Sequence, residues 1–108
     1  MSPTDRILAD LDFCYETPEE FSNGTRAICH TMIYRTVAAL NPEASRAEFV
    51  AALASRGINE ATARIQFAQS RRLTLQDEPG FVMNKDGRLV EKPTNVQGVA
   101  SAANLYIE

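Results

Sequence analysis

The sequence predicts a mainly α-helical fold with a C-terminal β-hairpin. Apolar residues recur at three- and four-residue spacing through residues 2–72, and helix-starting and helix-stopping residues punctuate that stretch. Two β-prone runs then flank Asn84-Lys85-Asp86-Gly87, a strong hairpin turn signal. At 108 residues the chain has the length of one domain. Its composition, 44% hydrophobic and 23% charged, is that of an ordinary globular protein.

Taken in order, residues 2–12 read as a short helix. Ser2 or Thr4 caps it, Pro3 suits its first turn, and Ile7, Leu8 and Leu11 face inward. Its acids are either solvated or opposed to an arginine from the middle of the chain. Thr17-Pro18-Glu19-Glu20 repeats the helix-start pattern, and Asn23-Gly24 stops it within about two turns. Glu19 and Glu20 point about 100° apart, so they complement the helix dipole and do not form a catalytic pair.

Thr25 to Leu40 reads as the first long helix, with Ile28, Met32, Ile33, Val37 and Leu40 inward and Asn41-Pro42 as its stop. Ser45 followed by Glu48 is a capping box, so the next helix begins at Arg46, with Phe49, Val50, Leu53 and Ala54 on its apolar stripe. Gly57 ends it, Ile58 fills the corner and Asn59 caps a further helix, 60–72. A helical wheel puts Ala61, Ile65, Ala68 and Phe67 on the core face of that helix. Arg64 falls inside this face, so it reaches out from the edge or the wheel is rotated.

Two helices joined by a Gly-containing turn, the second polar and ending in Arg71-Arg72, have the layout of a helix-turn-helix. Any αα-hairpin needs the same caps and stop, so the layout alone leaves nucleic-acid binding open. The charge distribution adds to it. Residues 1–24 hold six acids and one base, residues 25–76 seven arginines and three acids, and residues 77–108 three bases and five acids, for a net charge of -3. A basic middle between acidic ends suits a DNA-binding face of limited size, or a solvated helical surface.

With Lys85 and Arg88 at the hairpin tip, the order of elements over residues 25–92 resembles the winged helix-turn-helix superfamily. Ser45-Arg46-x-Glu48-Phe49, Gly57-Ile58-Asn59 and Ala61-Thr62-Ala63-x-x-Gln66-Phe67 also resemble small helix-turn-helix proteins of phages and plasmids. The resemblance implies a recognition helix at 60–72 in the major groove and a wing at 81–91. Residues 1–24 are then an acidic helical extension, and 93–108 a tail that is disordered or docks its Leu105-Tyr106-Ile107 end on the domain or on a second copy.

The expected function is that of a transcription regulator binding double-stranded DNA, as a cytoplasmic homodimer. Asn59, Thr62, Ala63, Gln66, Gln69 and Ser70 are the expected base contacts, since amide and short polar side chains reach base edges. Arg46, Arg64, Arg71, Arg72, Lys85 and Arg88 are the expected phosphate contacts. The alternative is a protein-binding winged-helix module, an inhibitor or adaptor that binds no DNA.

Other classes find no support. No apolar run approaches a membrane span, and Asp5, Asp10 and Asp12 interrupt any signal-peptide pattern. Cys14 and Cys29 lack metal-ligand spacing and read as reduced thiols in preference to one disulfide. Cys29 adjoins His30, the only histidine, yet adjacency brings no thiol–imidazole geometry. Phosphate-loop, nucleophile-elbow, zinc-protease and EF-hand patterns do not occur, so neither an enzyme nor a cofactor or metal is expected.

Overall fold

A computed structural model describes residues 2–22 and 27–92. Among them are four helices, a 3-10 turn and one two-stranded hairpin. None of these helices is long and apolar enough to cross a membrane. The expected Asn23-Gly24 stop, the Thr25 start and the tail at 93–108 lie outside the described residues.

Helix α1 spans Pro3–Glu16, longer than the expected 2–12. The Ser2 hydroxyl accepts from the Asp5 amide, and Ile7, Leu11 and Cys14 continue one buried stripe at four- and three-residue spacing. Thr17-Pro18 ends it, because a proline disfavours helical backbone in the residue before it. A 3-10 turn, Pro18–Phe21, then buries Phe21. Two of the α1 acids do oppose partners from the middle of the chain. Asp12 makes a bidentate ion pair with Arg56, and Asp10 accepts from Asn41 Nδ2 at 2.8 Å.

Helix α2 spans His30–Leu40, not 25–40. Ser22 and Ile28 form an isolated antiparallel bridge, and the Cys29 amide donates to the Phe21 carbonyl at 2.7 Å. This pairing occupies backbone that a helix would use, and it overrides a weak local propensity. The buried stripe is Ile33, Tyr34, Val37 and Ala38; Leu40, expected inside, is 56% exposed.

Helix α3, Arg46–Ala54, carries both halves of the capping box: the Glu48 amide donates to Ser45 Oγ at 3.1 Å, and the Ser45 amide to Glu48 Oε1 at 2.9 Å. Gly57 takes the left-handed conformation (φ +82°), which returns the Ile58 amide to the Leu53 carbonyl at 3.1 Å. Helix α4, Glu60–Asp77, starts at Asn59, whose Oδ1 accepts from the amides of Ala61 and Thr62. It runs five residues beyond the expected end, through Leu73-Thr74-Leu75. Phe49 of α3 and Phe67 of α4 meet with ring centroids 5.3 Å apart, and the core spreads from them to Ile7, Leu11, Ile33, Val37 and Leu53.

The hairpin pairs β1, Phe81–Met83, with β2, Leu89–Glu91, in the register Val82 opposite Val90. Its turn is held by Asn84 Oδ1, which accepts from the amides of Asp86 and Arg88 at 3.0 Å each. Gly87 is required at its place: φ is +95°, and a Cβ there would stand 2.9 Å from the Phe67 ring and 3.1 Å from the Arg46 backbone nitrogen. The hairpin is tied to the start of α3 by a backbone bond from the Arg46 amide to the Asp86 carbonyl, and to the α2–α3 connection by one from the Leu89 amide to the Pro42 carbonyl, 2.8 Å each.

Candidate nucleic-acid interface

The fates of the residues on α4 depend on which way the helix is turned. Its buried face is Ala63, Phe67, Ser70 and Arg71. The expected core face, centred between Ile65 and Phe67, is therefore rotated by about one residue, roughly 100°. Phe67 does lie inside. Ala61, Ile65 and Ala68 instead face solvent, with Ile65 56% exposed. Arg64 is exposed beside them and makes an i,i+4 ion pair with Glu60 at 3.6 Å.

This rotation removes three of the expected contact residues. The Ala63 and Ser70 side chains are buried, and the Ser70 hydroxyl donates to the Arg35 carbonyl at 2.9 Å. Arg71, expected on phosphates, is 1% exposed. Its guanidinium donates to four backbone carbonyls: Gly87 (2.9 Å), Ala38 (2.8 Å), Asn41 (2.9 Å) and Ala44 (3.0 Å). It also lies over the Phe67 ring, 4.4 Å from the centroid. Burial pushes its pKa down to about 10, so the group stays charged at neutral pH. Ala38 and Asn41 are at the C-terminal end of α2, where the helix dipole favours a cation. Arg71 thus joins α2, α4, the α2–α3 connection and the hairpin turn, with four of its five N–H donors used and the group closed off from solvent.

Other expected base contacts are turned aside or occupied. Asn59 Oδ1 is committed to the helix cap, and Gln69 Oε1 accepts from Arg72. Thr62 and Gln66 are half-buried, and the Gln66 amide oxygen is buried without a hydrogen-bond partner among the described residues. The outward stripe is instead Ala61, Arg64, Ile65, Ala68 and Arg72, at the spacing of one helical face. Sequence reasoning misses this stripe because hydrophobicity alone assigns isoleucine to the core and arginine to the surface. Arg64 in the middle of the supposed core was the signal that could have found it.

Part of the expected basic set does come together. Arg46, Glu60, Arg64, Lys85, Asp86 and Arg88 border one open groove of about 710 Å³ between α3, the start of α4 and the hairpin tip. Four cations face two carboxylates there. Lys85 is exposed at the tip. Arg88 is the most engaged, with Asp86 at 3.1 Å and Glu48 at 3.5 Å. The exposed Arg64–Glu60 pair is of a kind worth only about 0.3–0.5 kcal/mol, so a phosphate could readily take its place. Arg46 stands over the Phe67 ring at 5.8 Å, which fixes it at the groove edge.

Cys29 and His30 do not face each other as a pair. Cys29 Sγ lies 3.5 Å from Thr31 Oγ1, and His30 Nδ1 lies 2.7 Å from the Tyr15 hydroxyl. The Thr31 hydroxyl draws the Cys29 pKa below its ordinary value, whereas burial raises that of Tyr15. Compared with protein-family models, curated proteins and solved structures, the chain has no match.

Proposed function

We propose that this protein binds double-stranded DNA as a transcription regulator, with α4 in the major groove and the hairpin acting as the wing of a winged helix-turn-helix. The observation that carries the reading is the outward stripe of α4. Arg64 and Arg72 stand there beside the short side chains of Ala61 and Ala68, and Arg64 shares a groove with Arg46 and Lys85. Small residues allow a helix to approach the bases closely, and flanking cations favour phosphates. Support for the wing comes from its ties at Asp86 to α3, at Gly87 to α4 and at Leu89 to the α2–α3 connection, which hold a basic tip beside α3.

The test is fluorescence anisotropy of a labelled random duplex titrated with the protein at about 50 and 200 mM salt. Binding is expected at the lower salt and should weaken by ~0.9 log unit per phosphate contact per decade of salt. A second reading, a protein-binding module on the same scaffold, draws on the exposure of Phe13 and Leu73 and on the net charge of -3. It is the reading favoured if no duplex binds at the lower salt.

A further inference from the structure

We propose that α4 recognises thymine by apolar contact, with Ile65 against the 5-methyl group, and not by amide hydrogen bonds to base edges. This rests on the DNA-binding reading above and names the chemistry of the same face. On the outward stripe, Ala61 and Ala68 are too short to reach beyond the helix surface, and the remaining members besides Ile65 are Arg64 and Arg72. Ile65 is therefore the apolar side chain that projects from this face, at 56% exposure.

Arg64 and Arg72 are eight positions apart, about 12 Å along the helix. With α4 in a major groove, long arginine side chains at the two places can reach phosphates, while Ile65, next to Arg64 on the same face, meets base edges. Several polar atoms along the flanks are engaged or buried: Asn59 Oδ1 caps the helix, Gln69 Oε1 accepts from Arg72, the Ser70 hydroxyl donates to the Arg35 carbonyl, and Gln66 Oε1 is buried. Among the major-groove edges of the four bases, thymine alone presents a methyl group.

The experiment uses the full-length protein. A preferred duplex is selected from a random library, and its thymines are replaced one at a time by deoxyuridine, which removes only the methyl group. Replacement at a contacted position should weaken binding about fourfold, the value of one methyl taken from water. Ile65→Ala should weaken binding to the thymine duplex by a similar factor and should no longer distinguish thymine from deoxyuridine. Circular dichroism is expected to show unchanged helix content, since the side chain is exposed. If the wild type binds in a salt-dependent way but is indifferent to deoxyuridine at every position, thymine reading is overturned and DNA binding stands. If no duplex is bound, both fail together.

Discussion

On the inner side of α4, Arg71 is 1% exposed and donates to carbonyls from three other parts of the chain. One residue further on, Arg72 stands in solvent, with Gln69 of its own helix as its partner. The two side chains share charge, helix and sequence neighbourhood, and differ by about 100° of rotation. That rotation separates a structural arginine from one available to a ligand. A count of basic residues therefore overstates a binding face: what matters is whether the donors are already used.

The sharpest way to break this comparison is Arg71→Met, which keeps much of the volume and removes the donors. It should cost about 3 kcal/mol or more, because a charged hydrogen-bonded group is lost and the Gly87 and Ala44 carbonyls lose the donor that Arg71 supplies. Urea denaturation reads this as a lower midpoint at constant slope. A loss below about 0.5 kcal/mol would mean that Arg71 behaves as a surface residue.

The two left-handed glycines sharpen the same point for the backbone. Gly87→Ala should cost about 2 kcal/mol, since the new Cβ meets the Phe67 ring and the Arg46 backbone in addition to the strained φ. Gly57→Ala, with the same sign of φ but no atom within 4 Å, should cost about 1 kcal/mol. Equal losses in thermal unfolding would show that contact with the hairpin turn adds nothing.

On the outer side the prediction reverses. Arg64→Ala should leave stability within about 0.5 kcal/mol of wild type while weakening duplex binding at low salt. Asp12 gives the smallest effect, confined to acid. Hydrogen bonding to Arg56 holds the Asp12 carboxyl below its ordinary value. A depressed folded pKa contributes stability that is present above the unfolded value and is lost as pH falls through the folded one. Asp12→Asn should therefore be slightly less stable than wild type at neutral pH, and the gap should close as the pH is lowered.

Local chemistry made much of the fold legible. The Ser45–Glu48 capping box, the Gly57 stop, the Asn59 cap and the Asn84–Gly87 turn each act within a few residues, and each stands where the sequence puts it. The start of α2 was not legible in the same way, because the bridge between Ser22 and Ile28 is a pairing between two segments. The rotation of α4 failed for a related reason. Hydrophobicity favours Ile65 inside and Arg71 outside, but the carbonyls that accept from Arg71 lie 16 to 33 positions away, at Gly87 and Ala38 among others. Within the helix itself, the one sign of the rotation is Arg64 on the supposed core face. The candidate site inherits that error: Arg46, Arg64, Arg72, Lys85 and Arg88 retain some exposure, whereas Ala63, Ser70 and Arg71 are buried.

The most direct measurement is the salt dependence of duplex binding for wild type and Arg72→Ala, with thermal stability recorded for both. The account predicts unchanged stability and a log–log salt slope about 0.9 shallower in the variant, the loss of one phosphate contact. An equal slope in both proteins would contradict it, as would a variant destabilised like Arg71→Met.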